Sequence, residues 1–114
     1  MSNIALAEEA ELKTGTFVRG KELLEQCSVP QLTEASIIPH KFCEAYIMGV
    51  LDLHLLSVIQ TGKHVNICIK KDTTIDDISP SVTNWITAHP EQQNLPASLL
   101  IILALREKLP CSKP

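Results

Sequence analysis

The sequence predicts a small all-α domain of about four helices, a bundle cross-linked by two disulfides. Three observations carry this expectation. Apolar residues recur at helical spacing in the middle and at the end of the chain. Prolines and glycines fall where helices should begin and stop. Cys27, Cys43, Cys68 and Cys111 each stand at or near the edge of an expected helix. At 114 residues the chain fits one domain, able to bury a core yet small enough to gain from cross-links.

Residues 1–19 are polar, rich in Ala and Glu and weakly patterned, so they read as a mobile N-terminal arm. Its acidic group, Glu8, Glu9 and Glu11, reads as solvated. Residues 20–114 form the helical domain. Gly20 precedes a short helix over 21–27 that turns Leu23, Leu24 and Cys27 inward. Residues 28–38 carry Pro30 and read as a loop, with room for one turn near 31–35.

Pro39 can open the next helix in its first turn, and Gly62 offers a left-handed cap at its end. Over 41–61 one apolar stripe runs Phe42, Ala45, Tyr46, Gly49, Leu53, Leu56. A second runs Cys43, Ile47, Val50, His54, Val58. Two stripes predict a helix covered on most sides, the centre of the fold. Gly49 within it costs about 1 kcal/mol relative to Ala, and is expected to admit another backbone.

Residues 64–69 alternate, with Val65, Ile67 and Ile69 on one side. That is a strand signal with no second strand to pair with, so an extended connector is expected. Thr74, Asp76 and Asp77 could begin a helix, their carboxylates near the positive end of its dipole. Pro80 makes Ser79 the better cap, with Pro80 at the first helical position. Val82, Trp85 and Ile86 then share a face, and Ala88-His89-Pro90 ends it. Asn94-Leu95-Pro96 starts the last helix. Leu99, Leu100, Ile102, Leu103 and Leu105 make it strongly apolar, and Arg106 and Lys108 suit its C-terminal end. Pro110 stops it before Cys111.

Several function classes fall away. The net charge of −3 comes without a basic stripe, so no nucleic-acid partner is expected. The longest apolar stretch, 45–59, is broken by Asp52, His54 and Ser57 and falls short of a membrane span. The glycines are isolated, so there is no phosphate loop. No two cysteines stand at the close spacing of a structural zinc site, and no metal or cofactor is expected. Cys43 with His40 or His54 could suggest a nucleophile, but an oxyanion donor and an orienting group are missing from the pattern. The reading is therefore a chain that is not an enzyme. His54 reads as a packed residue and His89 as a cap for helix-end carbonyls. Tyr46 and Trp85 read first as core, with Trp85 the better candidate for a partner surface.

An even cysteine count implies two disulfides and an oxidising compartment. Four cysteines allow three connectivities, and spacing alone leaves them open. The order of elements favours Cys27–Cys43, across the reversal between the first two helices, and Cys68–Cys111, joining the segments after the central and last helices. In the chain-entropy account these closures contribute about 3 and about 4 kcal/mol. There is no full signal peptide. Ala5-Leu6-Ala7 resembles the tail of a cleavage site, which fits a mature chain, and fits an ordinary Ala-rich start equally well.

Ordered landmarks along 20–111 carry a family resemblance. Gly20-x-x-Leu23-Leu24-x-x-Cys27 resembles an opening G-x-x-L-L-x-x-C. Cys43-Glu44-Ala45-Tyr46-Ile47-Met48-Gly49 resembles C-x-x-Y-I-x-G, with Asp52 downstream, and Ile67-Cys68-Ile69 resembles the V-C-x that follows. Ala88-His89-Pro90, Ala97, Ala104-Leu105 and Leu109-Pro110-Cys111 resemble the closing H-P…A…A-L…F-P-C. The set resembles the Rap/Tai family of type VI secretion amidase immunity proteins. Ala45 replaces the usual glycine, Ile69 a frequent proline, and Leu109 the usual phenylalanine. These departures leave the fold expectation intact and do not identify the toxin.

The resemblance implies a helical periplasmic protein, often a homodimer. It implies binding and occlusion of a cognate papain-like peptidoglycan amidase effector, which protects the producer cell. To fill an enzyme groove the inhibitor needs a segment already in shape. Two polar segments qualify, 72–79 with Asp76, Asp77 and Ser79, and 91–94 with Glu91, Gln92, Gln93 and Asn94. The alternative is a small disulfide-bonded helical carrier of an apolar ligand, which should be richer in aromatics and methionine than this chain is.

Overall fold

In the computed structural model, residues 15–29, 34–63 and 66–111 are described, and most of the expected arm lies outside them. Among these residues four α-helices follow one another: α1 Gly20–Cys27, α2 Glu34–Thr61, α3 Ile75–Ala88 and α4 Ala97–Lys108. A single 3₁₀ turn, Pro90–Gln92, links α3 to α4. No strand occurs among the described residues, so the all-α expectation holds.

The core forms around α4. Ala97, Leu100, Ile101, Ala104 and Leu105 are fully buried and meet Ile78, Val82 and Ile86 of α3. Leu23 of α1, Cys43 and Ile47 of α2, and Ile67 of the connector complete the cluster. The expectation that α2 would be central is corrected. Its buried residues are Ser36, Cys43, Glu44 and Ile47, and none lies beyond Ile47. The short α4 is almost all apolar and is surrounded, whereas the described residues leave much of both stripes of α2 uncovered.

Both proline expectations are corrected too. α2 begins at Glu34, five residues before Pro39. α3 begins at Ile75, likewise ahead of Pro80, so Ser79 lies in its second turn and is not its cap. A helical proline deprives the carbonyl four residues back of its donor. Here that carbonyl belongs to Ala35 or Asp76, each an exposed first-turn residue that water can serve.

The connector is not evenly extended. Asn66 has a positive φ of 63°, which interrupts the run ahead of Ile67, and Ile67 is buried while Ile69 is exposed. The Cys68 N–H donates to the Leu109 carbonyl at 2.8 Å, and the Cys111 N–H donates to Asn66 Oδ1 at 3.2 Å. This seam carries the Cys68–Cys111 disulfide, with Cα atoms 4.7 Å apart. Cys27–Cys43 joins α1 to α2, with Cα atoms 5.0 Å apart. Both expected pairs form. Cys43, however, sits well inside α2 rather than in its first turn, because the helix starts early.

Candidate partner-binding surface

The start of α3 is a closed capping box. The Asp77 N–H donates to Thr74 Oγ1 at 3.3 Å, while the Thr74 N–H and hydroxyl both donate to Asp77 Oδ2 at 3.0 Å. These bonds hold the Asp77 carboxyl below its ordinary range. Asp76 lies beside it and is exposed. Ser79 is half-buried, and its carbonyl accepts from the Thr83 hydroxyl at 2.9 Å. Asp76 and Asp77 therefore form a short, pre-ordered acidic edge, and Ser79 belongs to the helix behind it.

Residues 90–94 are held more tightly than a plain loop. The Gln93 carbonyl accepts from the Lys21 N–H at 2.8 Å, and the Leu95 carbonyl accepts from the Gly20 N–H at 2.9 Å. The Asn94 carbonyl accepts from the Arg19 guanidinium at 2.6 Å. This turn thus serves the unpaired donors at the start of α1. Gln93 also donates through Nε2 to the Ile86 carbonyl at 3.3 Å. Gln92 and Gln93 are half-buried, which leaves Glu91 and Asn94 as the exposed pair. The two candidate segments lie at opposite ends of α3, about 20 Å apart by helix rise. The structure does not bring them into one site.

Trp85 and His89 stack with ring centroids 3.8 Å apart. The indole N–H donates to the Glu107 carboxylate, and His89 Nδ1 lies 2.7 Å from the Trp85 carbonyl. His89 closes the end of α3, as its position suggested. All four cysteines are bridged, so Cys43 is not available as a nucleophile.

Sequence reasoning missed a different surface, the second half of α2. Leu53 is 66 % exposed and Ile59 is 70 % exposed, and Leu55 and Leu56 are exposed between them. Beside this ridge runs a groove of about 380 Å³, bordered by Leu51, His54, Val58, Ile67 and the Cys68–Cys111 disulfide. Asp52, Leu55 and Ile69 form its open rim. The signal was present in the two apolar stripes of α2, of which the described residues cover only the part up to Ile47. By length and composition α2 could cross a membrane, because it extends further than the 45–59 stretch suggested. Its first half, though, is tied to α1 by Cys27–Cys43 and puts Cys43, Glu44 and Ile47 inside the fold.

The family model describing Rap1a immunity proteins matches residues 19–111. No curated protein and no solved structure matches the chain. The match starts one residue before α1 and ends at Cys111, so it takes in all four helices and both disulfides.

Proposed function

The chain belongs to the Rap1a immunity protein family, and from that premise we propose that it binds and inhibits a type VI secretion peptidoglycan amidase effector. Immunity proteins of this kind have a cognate effector as partner. In this reading the effector is a papain-like amidase, and the chain acts in the periplasm, where its disulfides persist. It covers the active site of the toxin and does no chemistry of its own.

The observation that supports this reading most is the acidic edge at the start of α3. Its capping box fixes Asp76 and Asp77 before any partner arrives, so little ordering is lost on contact. Glu91 and Asn94, on the braced turn beyond α3, form the second candidate contact. Gln92, Gln93 and Ser79 support these segments from behind. The apolar ridge of α2 is assigned to a homodimer, since a monomer rarely leaves so much aliphatic surface in water.

The carrier reading draws on the groove beside Cys68–Cys111. That groove is open along its rim and has no Phe, Tyr, Trp or Met among its lining residues, so it suits a flat protein contact better than an enclosed ligand. The experiment is to measure affinity for the amidase encoded beside this chain, with Asp76 and Asp77 changed to Lys and, separately, Glu91-Gln92-Gln93 changed to Ala. At least one set should weaken binding by more than about threefold. If neither does, with fold and dimer intact, the contact lies elsewhere.

A further inference from the structure

His40, Glu44 and Asp76 bring one ligand atom each to within 4.8 Å of one another. We propose that these three side chains form a divalent cation site that clasps α2 to the start of α3, with zinc as the ion it fits best. His40 and Glu44 are one turn apart on α2 and so project from the same face. Asp76 reaches them from the first turn of α3. The site therefore spans two elements that are far apart in the chain.

The chemistry of the three groups points to an ion. His40 Nδ1 is closed off from solvent and has no hydrogen-bond partner among the described residues. His40 Nε2 stands 3.8 Å from Glu44 Oε2, too far for a hydrogen bond. Nε2 is thus the nitrogen that faces Glu44, at ion-pair distance from its carboxylate. The Glu44 side chain is only 5 % exposed, a costly place for a carboxylate. Lys41 Nζ lies 3.3 Å from its Oε1, which leaves Oε2 toward His40. One imidazole and two carboxylates match a zinc-type ion better than the all-oxygen shell that calcium or magnesium prefers. Donors on a tetrahedral zinc lie about 3.3 Å apart, given bonds of about 2.0–2.1 Å, so donors up to 4.8 Å apart would draw in by at most about 1.5 Å on binding. Asp76 is exposed, so water can supply a fourth donor. The positive end of the α3 dipole opposes a cation there, which sets this site below a full structural zinc site in affinity.

The consequence is local. A bound ion would lock the first turn of α3 against α2 and stiffen the acidic edge, whether or not that edge meets the effector. The test uses purified, oxidised protein stripped with a chelator and titrated calorimetrically with zinc chloride. Wild type should bind one equivalent per chain, and zinc should raise its melting temperature. His40→Gln and Asp76→Asn should each weaken binding by at least about tenfold and abolish the thermal shift. Asp77→Asn should keep both, because that carboxylate is turned to Thr74. Glu44 is buried, so the exposed Asp76 variant guards against loss by misfolding. Absence of zinc binding in wild type would overturn the proposal. So would binding that His40→Gln and Asp76→Asn leave unchanged, since zinc would then sit on other histidines.

Discussion

Gly20 sits against Leu100 so closely that a Cβ on the glycine would overlap the Leu100 Cδ1 atom and lie 3.2 Å from the Gln93 carbonyl oxygen. This is where α1 meets the helix at the centre of the core. The lack of a side chain lets the first turn of α1 reach the braced turn and bond to Gln93 and Leu95. Gly20→Ala should therefore cost about 1–3 kcal/mol, as overpacking does in a close-packed core. Gly49→Ala should do the reverse, because nothing lies within 4 Å of its Cβ position, and a helical alanine is favoured by about 1 kcal/mol. Urea denaturation of the two variants checks both signs.

The disulfides should differ in worth. Replacing Cys68 and Cys111 by Ala opens the longer loop and should cost about 4 kcal/mol. Replacing Cys27 and Cys43 by Ala opens the shorter one and should cost about 3 kcal/mol before any cavity at the buried Cys43 is counted. Denaturation midpoints of the two double variants give the order.

The capping box makes a pH-dependent contribution. Asp77 titrates below its ordinary value of 3.8 in the folded chain, chiefly because the Thr74 backbone N–H and then its hydroxyl bond the charged form. A lowered carboxyl pKa stabilises the fold above the unfolded value, and that share is lost as pH falls through the folded value. Asp77→Asn should therefore flatten the acid limb of the stability profile and change little below it. Thr74→Ala should cost about 1 kcal/mol at neutral pH.

The ridge on α2 should hold the homodimer. Light scattering on wild type at micromolar concentration should give twice the chain mass of 12.6 kDa. Leu53→Glu with Ile59→Glu should give the monomer with helix content unchanged, since both side chains are exposed. A wild-type monomer would remove the dimer from the account.

Much of this was legible in the sequence, and the misreadings share a cause. Helix number and cysteine pairing follow from local patterns and element order, both of which a single chain displays. Pro39 is an excellent first-turn residue, yet α2 starts ahead of it, because Ala35 is exposed and water can serve its carbonyl, which the sequence does not show. The same holds for Pro80 and Asp76. The close glycine was placed at Gly49 because that residue sits in a long helix. What decides is the neighbour, and Leu100 faces Gly20. The central helix was misassigned for a related reason. Periodicity shows which faces are apolar, and only packing shows which of them finds a partner. At the candidate surface, the acidic edge was visible as residues, but its capping box needed the true start of α3. The sequence marks 91–94 as a polar turn held between two helices, but it does not show that Gly20 and Lys21 bond to its backbone.

The central claim is inhibition of a peptidoglycan amidase, and the direct measurement is the rate at which the amidase of the neighbouring gene cleaves purified peptidoglycan stem peptides. Adding one equivalent of the oxidised chain per enzyme should reduce that rate to background, while the chain alone releases no fragments. A rate unchanged by a several-fold excess of folded, disulfide-intact protein would contradict the account.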